Sequence, residues 1–89
     1  MSSTYAYLEA TSQVKPMAAK LKGFFVSAAS STPTITVYDS ATASSSDPVM
    51  LATFTPVAGT NYNFFDGGYA NKGLYVVIGG TVKCTVFFE

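Results

Sequence analysis

The chain has 89 residues, with five lysines against three aspartates and two glutamates, no arginine and no histidine, and so no net charge. This length makes one domain, 1–89, and so small a domain buries only about 60–65% of its unfolded surface. Histidine-based acid–base catalysis is excluded, zinc finds no ligand set in a single thiol, and Cys84, the lone cysteine, makes no disulfide within the chain.

Residues 5–14 read as a loosely patterned first strand, interrupted near Ala10. Pro16 to Leu21 has the start of a helical turn with proline at its first position, but it runs directly into Gly23-Phe24-Phe25-Val26. Residues 16–19 are therefore read as a connection and 20–28 as a second strand. Residues 34–39 form a third, with Ile35 and Val37 on one face and Thr34, Thr36 and Tyr38 on the other. Residues 40–48, Ser-Ala-Thr-Ala-Ser-Ser-Ser-Asp-Pro, hold no large apolar side chain and read as a flexible exposed loop. Residues 50–55, with Phe54 facing the core, and 60–65 are the fourth and fifth strands. Turn chemistry punctuates the chain at Ser30-Ser31-Thr32-Pro33, at 56–59 and at Asp66-Gly67-Gly68.

The close of the chain carries the clearest pattern. Leu74, Val76 and Ile78 alternate on one face, as do Val82, Cys84, Val86 and Phe88, with Gly79-Gly80 between the two runs. Two period-2 runs around a glycine pair predict a β-hairpin, because primed turns require positive φ. About seven short strands with regular turns predict an all-β fold: a single small antiparallel β-sandwich, jelly-roll-like in outline.

Catalytic templates find little to use. The carboxylates Glu9, Asp39, Asp47, Asp66 and Glu89 are scattered, and aspartates at strand ends and in loops commonly serve turns. A spatial meeting of two of them, as a hydrolytic pair or a calcium site, is the alternative. Cys84 alternates with Val82 and Val86, so it is expected in the core as a small apolar residue. No cofactor is expected. Lys20 and Lys22 are the only close basic pair, which does not make a nucleic-acid surface. No segment is long and apolar enough to predict a membrane span, and Met1-Ser2-Ser3-Thr4 lacks the basic and apolar regions of a leader, so synthesis in a cytoplasm is expected.

Composition points instead to assembly, with a compact monomer kept soluble by its many serines and threonines as the alternative. Charged residues make up 11% of the chain and aromatics 15%, where soluble monomers usually carry more charge. Neighbouring strand residues point to opposite faces, so one core cannot hold both Phe24 and Phe25, or both Phe87 and Phe88. An outer face bearing Phe87 or Phe24 is therefore expected to be covered by another copy or a partner. Tyr62, Phe64, Phe65 and Tyr69 form an aromatic cluster suited to a core or a subunit interface, and alternatively to stacking on sugar rings.

Several runs resemble small virion proteins of tailed bacteriophages. They are Lys22-Gly23-Phe24-Phe25-Val26-Ser27, Ser31 to Ser40 with its Tyr38-Asp39-Ser40 ending, Phe54-Thr55-Pro56-Val57-Ala58, and Lys72 to Val82 with Gly73-Leu74-Tyr75 and Gly79-Gly80-Thr81. The resemblance spans roughly residues 20–88. It implies a β-sandwich capsid decoration, or cement, protein, commonly trimeric, on the outer surface of the virion head, contacting the major capsid protein and its own copies. A tail or fibre module that binds host glycan is the alternative it leaves open. Its motifs are structural, and it carries over no catalytic or interface residue.

Overall fold

The computed structural model describes residues 4–89, with the side chains of Phe65 and Asp66 outside the description. Its described residues form six strands and no helix: β1 (Thr4–Leu8), β2 (Ser12–Lys15), β3 (Ala19–Asp39), β4 (Val49–Phe54), β5 (Thr60–Ala70) and β6 (Leu74–Phe88). All pairings are antiparallel and belong to one sheet. The expected all-β, antiparallel class is the one observed.

The architecture rests on two long strands. β3 and β6 pair along their whole lengths, from Leu21 opposite Phe88 to Asp39 opposite Leu74. This corrects the expected terminal hairpin: Gly79-Gly80 is not its turn, and β6 runs through it without reversing. The reason lies across the ladder. Ser30 pairs with Thr81 and Thr34 with Gly79, so Ser31, Thr32 and Pro33 stand opposite Gly80 alone. Extra residues on one strand bend it and increase its twist. Ser31 and Thr32 sit at φ of 59° and 53°, and Gly80 at 69°, so both strands turn a corner together. The Ser30 to Pro33 signal therefore marks a bulge within β3, where a turn between separate strands was expected.

The corner divides the sheet into two halves. In one, the order is β1, the end of β6, the start of β3, then β5. In the other it is β2, the start of β6, the end of β3, then β4. The break expected near Ala10 is real, and it separates β1 from β2. The inner faces of both halves share one core, which includes Leu21, Phe24 and Val86 from the first half and Ile35, Val37 and Leu74 from the second. Phe24 reaches across to Phe54 on β4, with ring centroids 6.4 Å apart. Phe54 thus packs against the core as expected.

Two further expectations change. Gly67 and Gly68 lie inside β5, which continues to Ala70. The ladder absorbs Gly67, at φ 86°, in a register shift beside Leu21 and Gly23. The 40–48 segment is mostly exposed, but its root is not: Ser40 is fully buried. The Ser40 hydroxyl accepts from the Thr42 and Ser44 amides, and the Gln13 side chain binds the Ser40 carbonyl and the Ala43 amide. The sequence reads as featureless there because short polar side chains do their work through local backbone hydrogen bonds.

Candidate functional site: an aromatic outer face

Strand alternation and register build the site. Along β6 the inward residues are Val82, Cys84, Val86 and Phe88, so Lys83, Thr85 and Phe87 point outward. Along β3, Phe24 and Val26 point in and Phe25 and Ser27 point out. On β1, Leu8 is buried while Tyr5 and Tyr7 stand outward. The ladder aligns these positions in two rows: Tyr5, Phe87, Gly23 and Asn63 in one, and Tyr7, Thr85, Phe25 and Asn61 in the other.

The result is an aromatic face on the outside of the first half. Tyr5 is 70% exposed, Tyr7 51%, Phe25 40% and Phe87 38%. Single exposed apolar side chains need no explanation, but four aromatics gathered on one sheet face make it a candidate contact surface.

The expected interface residues divide accordingly. Phe87 lies on this face. Phe24 does not, and its expected role there is corrected: it has no exposed surface to give a partner, because its ring is enclosed by Phe64 at 5.8 Å, edge-on, and by Phe54. Phe64 and Tyr62 pack against the core. Tyr62 sits 5.3 Å from Phe54, and its hydroxyl accepts a hydrogen bond from the Val57 amide at 3.1 Å. Tyr69 is 63% exposed, opposite Lys20 at the far end of β5. The side chain of Phe65 lies outside the described residues. The four aromatics expected together at 62–69 thus do not make one surface: two are structural and Tyr69 stands apart.

Sequence reading missed Tyr5, Tyr7 and Phe25. The Tyr-x-Tyr spacing was a signal for the first two. The Phe24-Phe25 pair announced that one ring faces out, but only register says which.

Asp39 and Asp47 are engaged in local ties. The Asp39 carboxylate accepts hydrogen bonds from the Lys72 amide at 2.7 Å, Asn71 at 3.1 Å and Gly73 at 3.2 Å. Burial pushes its pKa up, but these three donors and the Lys72 charge outweigh burial and hold it below the usual value. Hydrogen bonds from Ser40 and Lys72 also lower Asp47, whose carboxylate lies 3.3 Å from the Lys72 ammonium. Both carboxyls stay ionised at neutral pH, which suits a tie between β3 and the β5–β6 connection and not a proton donor. Among the described residues, no His, Cys, Asp or Glu cluster has metal-holding geometry.

Asp39→Asn is expected to lose about 1–3 kcal/mol at pH 7, because one carbonyl oxygen replaces two charged acceptors. A carboxyl lowered by folding stabilises the fold above its unfolded pKa, and that stabilisation is lost as pH falls through the folded value. The difference in urea midpoint between wild type and variant should therefore shrink below about pH 4.

Cys84 is fully buried, and burial pushes its thiol up to about 11. Thiolate is the reactive form. A disulfide reagent at pH 8 should accordingly leave native protein unlabelled and modify one thiol per chain only in denaturant.

An open cleft of about 270 Å³ lies where β4 and β5 face each other without pairing, lined by Leu21, Met50, Leu51, Phe64, Gly67 and Gly68. Among the described residues, none of the lining side chains carries an ionisable group, so the cleft presents an apolar lining. Set against family models, curated proteins and solved structures, the chain matches none of them, so its own fold and its aromatic face carry the functional argument.

Proposed function

We propose that this chain is a non-enzymatic structural protein of a tailed-phage virion, a decoration protein that clamps neighbouring copies of the major capsid protein on the outer surface of the head. The single observation that carries this reading is the exposed aromatic face of Tyr5, Tyr7, Phe25 and Phe87. It supplies apolar area with little charge, which is what a passive clamp needs. A small rigid sheet presenting such a face, repeated many times over a shell, stabilises through multivalency even where each contact is weak. The resemblance of residues 20–88 to small phage virion proteins supports the same context.

A tail or fibre module that binds host glycan is the second reading. Asn61 favours it, since it lies beside Phe25 in the row that also holds Tyr7, and sugar sites join an aromatic platform to amide groups.

Antibody labelling of the source particle under the electron microscope separates the two. Label spread over the head supports decoration. Label confined to the tail or fibres overturns it and leaves the glycan reading, which then predicts sugar binding that Tyr7→Ala abolishes.

A further inference from the structure

Among the described residues the sheet has four edge strands, because β1 and β2 each pair only with β6, and β4 and β5 each pair only with β3. Exposed edges invite further strands, and proteins blunt them with bulges, proline, charge or short length. Three edges here are blunted. β2 has four residues, a register shift between Gln13 and Lys15, and Pro16 directly after it. β4 is shifted twice against β3 and is preceded by Pro48. β5 carries the Gly67 irregularity.

β1 has no register shift and no proline, although with five residues it is barely longer than β2 and Glu9 directly follows it. Its five residues, Thr-Tyr-Ala-Tyr-Leu, pair with β6 from Thr4 opposite Phe88 to Leu8 opposite Cys84 without a shift. It contains no charge, proline or glycine. Its two tyrosines are placed symmetrically about Ala6, while its ends, exposed Thr4 and buried Leu8, differ. Laid antiparallel against itself with Ala6 at the centre, β1 sets Tyr5 opposite the second copy's Tyr7 and Tyr7 opposite its Tyr5. Both pairs fall on the outer face, and aromatic cross-strand pairs stabilise sheets. The smallest side chain, Ala6, meets its own copy on the inner face. The nearest charge is Glu9, directly after β1 and hydrogen-bonded to the Tyr7 hydroxyl; the two copies' Glu9 fall at opposite ends of this pairing, and the chain has no net charge to hold copies apart.

We propose that β1 of one copy pairs antiparallel with β1 of a second copy across a two-fold axis at Ala6. The four-stranded halves then join into one continuous eight-stranded sheet, and the two aromatic faces become a single strip. This goes beyond the decoration reading and does not depend on a capsid. It also replaces the trimer implied by the family resemblance, since antiparallel self-pairing of one strand is a two-fold contact. The exposed parts of Tyr5 and Tyr7 offer roughly 200–300 Å² per copy, well under the ~800 Å² a side of a standard interface. The dimer is therefore expected to be weak, with a Kd on the order of 100 μM.

Sedimentation equilibrium of the purified full chain, up to about 0.5 mM, tests this together with two double variants. Both change only exposed side chains, and circular dichroism confirms that each retains the fold. Tyr5→Glu with Tyr7→Glu places like charges opposite each other and should weaken the dimer at least about tenfold. Tyr5→Lys with Tyr7→Glu differs from it only at position 5, and sets Lys opposite Glu twice. It should dimerise again, and less so as salt rises. A wild-type monomer throughout the range, a trimer, a dimer insensitive to the double Glu variant, or no recovery with the Lys/Glu variant would each overturn the pairing. None of these outcomes bears on where antibody labels the particle, so the two proposals fail separately.

Discussion

Phe24→Ala is expected to lose about 3–5 kcal/mol, the usual cost of removing a large buried ring. Phe24 has no exposed surface and is the largest fully buried side chain among the described residues. Its ring touches both Phe64 and Phe54, so its loss leaves a void where the two halves of the sheet meet. An 89-residue domain holds about 4–13 kcal/mol in total, so the variant should be largely unfolded at 37 °C or denature at much lower urea. Phe25→Ala, one position along, should cost under about 1 kcal/mol, because a 40% exposed ring loses less packing and leaves no enclosed cavity. Urea denaturation of the two side by side checks the register of β3. A one-residue slip exchanges inner and outer faces, and it would reverse the order of the two variants.

Gly80→Ala should be the most damaging glycine substitution at the corner, costing about 2–4 kcal/mol. Two terms add. The residue sits at φ 69°, where an L side chain is strained, and a Cβ there would run into the Ser31 carbonyl oxygen and lie 2.7 Å from that of Thr32. Those oxygens belong to backbone, so nothing yields cheaply. Gly59 provides the control. Its φ of 77° is similar, but a Cβ there would meet nothing within 4 Å. Gly59→Ala should therefore cost only the conformational term, about 1–2 kcal/mol. Thermal melting of both variants measures the difference. Equal losses would mean that the bulge at residues 31–33 has room to move, and that the corner is not set by the approach of β6 to β3.

The corner also shows where local reading stops. Period-2 alternation on both sides of Gly79-Gly80 was legible, as was the position of the irregularity. What the glycines do there was not. A glycine pair between two strands satisfies a hairpin turn and a bend opposite a bulge equally well, because both use positive φ. The choice depends on a partner more than forty residues away. Ser31, Thr32 and Pro33 are opposed by one residue of β6, and that mismatch turns the corner.

The aromatic face follows the same division. Alternation places Val82, Cys84, Val86 and Phe88 on one side and Phe87 on the other without any structure, because pleating puts neighbouring side chains on opposite faces. It also requires that one of Phe24 and Phe25 point out. Local pattern cannot say which, since each phenylalanine is as apolar as the other. Pairing of β3 with β6 settles it: Val26 aligns with Cys84, which puts Phe24 on the inner face and brings Phe25 beside Thr85. Tyr5 and Tyr7 join the face only because β1 docks on the last five residues of β6. Strand class, turn positions and the apolar side of each strand are short-range properties, written within a few residues of one another. Which strands are neighbours, and hence which side chains share a surface, is set by closing loops of tens of residues around a common core, and no window of sequence contains that information.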